Sequence, residues 1–436
     1  MAQRHSWIGR RLRVKAGPIA LLLLLTALQA SAQGLPQAQP EAVGLSAARL
    51  ERLTRTFQKY VDDEQLAGAV ILVARQGKVA YYQAVGQRDR EARAPMKPDA
   101  LFRIASQTKA LVSVATMMLQ EEGALLIGDP VGKYLPEFQK TTVAVARDSG
   151  RYDVVPARRP ITIRDLLSHS AGIGYGTGVA RDRWQAAAIQ NWYFADRAEP
   201  IGSTVSRMAA LPMDAQPGER WVYGYATDIL GAVVERVSGL SLDQFLQTRI
   251  LGPLRMNDTH FYVPATKRDR LAAVYSSRTP KGLERAPAKG GMVSQGDYVD
   301  GPRQSFSGGA GLVSTAADYA RFLQMLLNGG ELDGVRLLSP KSVELMTADH
   351  AGSLYAPAGR GFGLGFEIID DLGAYGQIGS AGAFGWGGAY HSTYWVDPRE
   401  KLVVVYFTQL IPARGVDDHA KLRALIYQAI VGAAQN

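Results

Sequence analysis

The stretch Phe102-Arg103-Ile104-Ala105-Ser106-Gln107-Thr108-Lys109 sets a serine and a lysine three residues apart where a helical pattern begins. A serine opening a helix has its own backbone N–H free, near the positive end of the helix dipole. The lysine falls on the same face and reaches the hydroxyl. Serine attacks poorly until its proton leaves, and a desolvated lysine of lowered pKa takes that proton. The N–H at the helix start then stabilises the oxyanion of a tetrahedral intermediate. The spacing alone carries little weight, because 23 serines and 13 lysines give roughly 0.7 such patterns by chance. Its ordinary alternative is a capping serine followed by a solvated lysine. Against that, Ala110, Leu111, Val114 and Met117 follow directly, so Lys109 borders a buried face.

Two further stations supply context. Trp221-Val222-Tyr223-Gly224-Tyr225-Ala226-Thr227-Asp228 lies just before another helix, after a turn at Pro217-Gly218. A tyrosine phenol beside a lysine gives or accepts a proton in a dry pocket, although a core tyrosine with a bonded hydroxyl is the commoner use of such a residue. Phe384-Gly385-Trp386-Gly387-Gly388-Ala389 precedes a strand at Ser392. Consecutive glycines let a substrate approach backbone amides closely, unless they form a simple tight turn.

Taken together, these stations resemble the serine β-lactamase and penicillin-binding protein superfamily, especially its class C β-lactamase branch and the family VIII carboxylesterases. Ile161-Thr162-Ile163-Arg164-Asp165-Leu166-Leu167-Ser168-His169-Ser170-Ala171-Gly172 and Gly308-Gly309-Ala310-Gly311-Leu312-Val313-Ser314-Thr315 are similar to two more segments of that superfamily, in the same order. The resemblance implies Ser106 as nucleophile, Lys109 as its proton partner and Tyr223 as the second acid/base. It also implies an oxyanion hole from the N–H groups of Ser106 and Ala389.

The departures from the family pattern bear on substrate. Where β-lactamases carry Lys-Thr-Gly, whose ammonium holds a substrate carboxylate, this chain has Trp386-Gly387-Gly388. Where they carry Tyr-x-Asn, it has Tyr223-Gly224-Tyr225. Both changes make the pocket more apolar and aromatic, as in the family VIII esterases. Tyr225, Trp386, Gly387 and Gly388 are therefore the expected substrate-binding residues, and a carboxylic ester the expected substrate. The alternatives within enzymes are a class C-like β-lactamase, a D-amino-acid peptidase or an acyltransferase with the same residues. Outside enzymes, the alternative is a penicillin-type receptor that is acylated and does not turn over.

The elements that must position these groups read as α+β. Ala69–Ala74 and Val79–Val85 form a hairpin pattern, and Gly365–Ile369, Ser392–Asp397 and Leu402–Thr408 read as strands near the other end. Helical patterns fill the middle at 109–122, 163–167, 228–237, 242–249 and 316–327, the last with Thr315 and Asp318 spaced as a capping box. A helix at 417–431 closes the chain. The expectation is an antiparallel sheet of about five strands built from both chain ends (33–105 plus 305–436). A mainly helical domain (106–304) is inserted in it, with the active site at the interface. Residues 139–160, 172–200 and 263–301 lack periodicity and read as long loops. In the middle one, Tyr175, Trp184, Trp192, Tyr193 and Phe194 read as loop packing rather than a ligand wall.

Composition sets outer bounds. Arg4, Arg10, Arg11, Arg13 and Lys15 precede an apolar run from Pro18 to Leu28 and then Ala30-Ser31-Ala32, the pattern of a signal peptide over 1–32 cleaved after Ala32. Its removal takes the formal charge from +9 to 9 − 5 = +4, an ordinary balance that calls for neither nucleic acid nor a membrane surface as partner. The expectation is thus a soluble exported protein, periplasmic or extracellular, acting on a small-molecule ester or amide. Oligomeric state is not readable. The 436 residues include no cysteine, which excludes disulfides, thiol nucleophiles and thiolate metal sites. The histidines form no H-E-x-x-H pair. His169 reads as a structural hydrogen-bonder, and His391 as an exposed strand-end histidine, with a place lining the site as the alternative. No G-x-S-x-G, P-loop or dinucleotide motif occurs, so neither cofactor nor metal is expected.

Overall fold

The computed structural model describes residues 1–3, 5, 34–278 and 282–433. The chain separates into a leading unit, Met1–Gln33, and a main unit from Gly34 to its end. The apolar run of the expected signal peptide and its cleavage point lie outside the described residues. The sheet, its helices and the candidate site all belong to the main unit.

Eight strands make one sheet. In chain order they are β1 (Gly68–Arg75), β2 (Lys78–Asp89), β3 (Ala94–Pro95), β4 (Arg360–Phe362), β5 (Glu367–Ile369), β6 (Phe384–Gly388), β7 (Ser392–Asp397) and β8 (Leu402–Phe407). Their spatial order is β4-β5-β6-β7-β8-β1-β2-β3, every pair antiparallel. The two ends of the chain meet at the β1–β8 pair, with Val70 opposite Phe407 and Arg75 opposite Leu402. Both strands are buried along their whole length, which is why they read as unbroken β-branched runs rather than as alternation. Ala69, Ile71 and Val73 face one apolar cluster, together with helices α1 (Ala47–Asp62) and α5 (Asp418–Tyr427). Val70, Leu72 and Ala74 face the other, with helices α2 (Thr108–Glu121), α3 (Ala226–Ser238) and α4 (Ala316–Leu327). Strand period 2 thus sorts neighbouring residues into two layers of helices.

The sheet has eight strands where the sequence suggested about five. The additional ones are β3 and β4, two and three residues long, and β6, a glycine-rich run that shows no strand pattern in the sequence. None carries enough β-branched residues to register by pattern. Two of the expected loops contain hairpins, Thr142–Ala146 with Tyr152–Pro156 and Tyr275–Ser277 with Leu283–Arg285. A short pairing of Phe102–Arg103 with Val313–Ser314 carries the chain directly into the Ser106 turn.

The expected capping box at α4 is half formed. Thr315 accepts from the Asp318 N–H at 3.2 Å. The Asp318 carboxylate turns away to accept from Asp258 N at 2.7 Å and Thr259 Oγ at 3.0 Å. Burial pushes this carboxyl up from the usual 3.8 to about 7. A carboxyl that binds its proton more tightly when folded stabilises the fold below about pH 4 and loses that contribution as pH rises through about 7. Urea unfolding of wild type and Asp318→Asn across that range should therefore show wild type losing ground to the variant. The upper limit of the change is on the order of 4 kcal/mol. A pH-independent difference would count against a buried, titrating Asp318.

Candidate active site

The Ser106 turn is a 3₁₀ helix, Ala105–Gln107, that runs straight into α2. Ala105 is fully buried with φ +44°, a left-handed conformation that an alanine adopts only where its surroundings force it. Those surroundings are explicit. Ile104 N donates to Leu312 O at 3.0 Å, Tyr319 Oη to Gln107 O at 2.9 Å and Gln107 Nε2 to Ser392 Oγ at 3.0 Å. The serine is thus pinned from the sheet and from α4 at once.

Lys109 is buried and its ammonium has three acceptors. Nζ lies 3.4 Å from Ser106 Oγ, 3.1 Å from Tyr175 Oη and 2.7 Å from Gly309 O. The Gly309 carbonyl is held in turn by Asp228. Its Oδ1 accepts from Gly309 N at 3.0 Å and Ser307 Oγ at 2.6 Å. Asp228 is fully buried, and desolvation raises its pKa although Lys109 and these bonds lower it. Glycine is required here, since a Cβ on Gly309 would stand 2.4 Å from Asp228 Oδ2 and one on Gly308 2.5 Å from Thr227 O. The segment at 308–315 therefore supplies an acceptor for Lys109 as well as the approach to α4.

Tyr223 closes the group. The Lys109 ammonium sits 4.6 Å from its ring centroid, and Trp386 Nε1 donates to its hydroxyl at 3.0 Å. Trp221 stacks on it at 5.6 Å and His169 packs against it at 4.7 Å. His169 acts through this ring contact, and its Nδ1 has no hydrogen-bond partner among the described residues. Its backbone O accepts from Val222 N at 2.8 Å. Burial, then the Lys109 charge, pushes the imidazole well below its usual pKa, so it stays neutral beside the ammonium.

Tyr225 and Tyr175 exchange their expected places. Tyr225, expected on the substrate wall, is completely buried, stacked on Trp184 at 5.7 Å and donating to Asn191 O at 2.6 Å. Tyr175, expected to pack its loop, lies in the cleft and accepts from Lys109. Burial, with Tyr223 next, pushes its phenol well above 10, so it remains a hydroxyl. The available signal for Tyr175 was its position three residues beyond the Gly172 that ends a recognised segment.

The cleft, about 870 Å³, is lined by Ser106, Tyr175, Trp192, Tyr223, Trp386, Gly387 and Ala389 among others. Gly388 lies back to back with the Ser106 turn, where a Cβ would stand 2.5 Å from Ile104 O. Ser106, Lys109, Tyr223, Trp386, Gly387, Gly388 and Ala389 are thus brought together, and Tyr225 is not. His391 also lines the cleft, its Nε2 2.7 Å from Asp418 Oδ1 and its ring stacked on His419 at 4.2 Å.

A family model described as Beta-lactamase matches residues 53–428. The chain belongs to the beta-lactamase family. Esterase EstB of Burkholderia gladioli is 32% identical over 387 residues, covering 85% of this chain and 93% of that protein. Lovastatin esterase of Penicillium rubens is 31% identical over 389 residues, covering 82% and 92%. Among solved structures, EstCE1, described as a hydrolase with promiscuous acyltransferase activity, matches with a TM-score of 0.75 at 28% identity, over 87% of this chain and 98% of that one. Within the beta-lactamase family this is an enzyme of the serine-hydrolase type, in the branch that holds esterases.

Because Tyr225 is a core residue, Tyr225→Phe should lower unfolding stability by about 1 kcal/mol through the bond to Asn191. Its KM for an ester substrate should stay within about twofold of wild type. A raised KM with unchanged stability would return Tyr225 to the substrate wall.

Proposed function

We propose that the protein hydrolyses carboxylic esters through an acyl-enzyme on Ser106. The observation that carries this reading is the 3.4 Å approach of Lys109 Nζ to Ser106 Oγ inside a buried, aromatic-walled group. In the proposed cycle the Lys109 ammonium first releases a proton to solvent through the cleft. Ser106 Oγ then attacks the ester carbonyl as its own proton passes to the Lys109 amine, with Tyr223 as the second proton carrier. The backbone N–H groups of Ser106 and Ala389 hold the oxyanion. The C–O bond to the alcohol breaks, and the proton returns through Tyr223 to the leaving alkoxide. Water then attacks the acyl carbon, giving its proton to the same pair, and the carboxylic acid departs as Ser106 regains its proton.

The preference for an ester rests on Trp386. Its indole N–H is bonded to Tyr223, and it stands where the family's lactam-cleaving members carry a cation. Relatives that are esterases by name support the same choice. Acyl transfer to a second alcohol is the other reading, favoured by the activity described for EstCE1, and differs only in what attacks the acyl-enzyme. Export as a soluble protein remains part of the proposal through the leader pattern, and the N-terminal residue of secreted protein tests it.

Hydrolysis of p-nitrophenyl acetate and butyrate should be readily measurable, with nitrocefin turnover weak in parallel. Ser106→Ala should abolish ester turnover, by on the order of 10³-fold or more, with the fold intact. Tyr223→Phe should reduce kcat by about 10²–10⁴-fold, the range for a positioned proton carrier. Tyr175→Phe, which removes an acceptor of Lys109 and a hydroxyl that also meets Tyr223, should cost less than about tenfold. Full activity in Ser106→Ala would end the reading. A larger loss in Tyr175→Phe than in Tyr223→Phe would reassign the proton carrier.

A further inference from the structure

Three side chains on the cleft wall have no part in the proposed cycle. His391 follows the glycine strand β6, and Asp418 and His419 begin α5, so a separation of 28 residues hides the group from any sequence motif. Each offers one metal-binding atom, and these atoms lie within 4.8 Å of one another. His391 is held at φ +65°, where glycine would be relaxed and a histidine is not. The strained backbone aims an imidazole at a buried carboxylate, with Nε2 2.7 Å from Asp418 Oδ1. The second carboxylate oxygen accepts from Tyr406 Oη at 2.6 Å, the kind of outer partner that orients a ligating carboxylate. His419 stacks on His391 with planes 15° apart at 4.2 Å and has Nε2 3.1 Å from His391 O.

From this group we infer a divalent transition-metal site of the two-imidazole, one-carboxylate type on the wall of the active cleft. The ion replaces the proton shared by His391 Nε2 and Asp418 Oδ1, and that proton passes to solvent. Bonds of about 2.1 Å in the tetrahedral geometry Zn²⁺ favours need the two atoms about 3.4 Å apart, so the present 2.7 Å pair opens on binding. His419 turns out of its stack to add a nitrogen, and water completes the shell from the open cleft. Imidazole nitrogen selects Zn²⁺, Ni²⁺ or Cu²⁺ over Mg²⁺ or Ca²⁺. The N-terminal dipole of α5 opposes a cation; the buried Asp418 carboxylate is the charge that offsets it, since Asp417 is already paired with Lys421 at 2.8 Å. An ion there narrows the cleft that Ser106 opens into, so occupancy inhibits turnover.

The test is isothermal titration of untagged, EDTA-treated protein with Zn²⁺, beside p-nitrophenyl butyrate turnover over the same Zn²⁺ range. His391→Gly suits the local φ and His419→Ala lies at a helix start, so both variants keep the fold. One Zn²⁺ per chain is expected at micromolar concentration. Binding should weaken by about 10–100-fold in either variant and be unchanged in Ser106→Ala. Inhibition, measured against each variant's own metal-free rate and reversed by EDTA, should shift to higher Zn²⁺ in step with binding. Absence of binding to wild type, or equal binding by the variants, overturns the site. Inhibition that does not follow occupancy overturns its effect on turnover. Binding to Ser106→Ala is read without any catalysis, so this inference and the esterase reading can fail separately.

Discussion

The buried Lys109 Nζ donates to Ser106 Oγ, Tyr175 Oη and Gly309 O at the floor of the cleft, and three separate parts of the chain are folded together to hold those acceptors. The acceptors come from three separate parts of the chain, namely the turn before α2, the loop after Gly172 and the glycine segment before α4. A buried ammonium with fewer partners would carry a heavy desolvation cost. With a full set, the lysine is positioned without free rotation. The same saturation sets a constraint on chemistry: a proton must leave Nζ before it takes another from serine. Asp228 sits behind Gly309 as the buried carboxyl of the group. Its raised pKa shows how weakly this environment solvates a negative charge.

The glycine strand β6 illustrates the opposite arrangement. Phe384–Gly388 pairs with β7 over five residues, yet three of the five have no side chain. Glycine weakens a strand and costs conformational entropy. Here the absence of a Cβ lets Gly388 press against Ile104 O and bring Ala389 to the Ser106 turn. Stability for this weak strand comes from β7 and β8 behind it, both rich in buried residues. The site therefore lies where the sheet is locally thin, beside the buried strands β7 and β8.

Ser106, Lys109 and the paired runs of β1 and β8 were legible in the sequence because each carries a local signal, either a fixed helical spacing or an unbroken β-branched stretch. Tyr225 was misplaced for an equally local reason. Alternate residues of Tyr223-Gly224-Tyr225 need not face the same way once the chain enters a helix, and Tyr225 turns into the core beside Trp184. Tyr175 reached the pocket through a loop without periodicity, so nothing in its neighbours' pattern declared its direction. The short strands β3 and β4 exist because the sheet offers them partners, which is tertiary information. The His391 stack depends on a strand end meeting a helix start, and no spacing rule covers that.

Trp386 links the two halves of the functional reading. Its indole N–H donates to Tyr223 Oη, so in the free enzyme the phenol oxygen acts as an acceptor and is oriented by a residue that also walls the cleft. A lysine in that place would bring a second positive charge close to Lys109, making a protonated pair less favourable, and would offer a fixed partner to an anionic substrate. Tryptophan removes that charge, keeps one hydrogen-bond donor and adds an apolar face. The neutral His169 on the other side of the Tyr223 ring has the same consequence, since a protonated imidazole there would repel the Lys109 ammonium. The Tyr223 ring thus meets four other rings, those of His169, Tyr175, Trp221 and Trp386, and one cation, Lys109, 4.6 Å from its centroid.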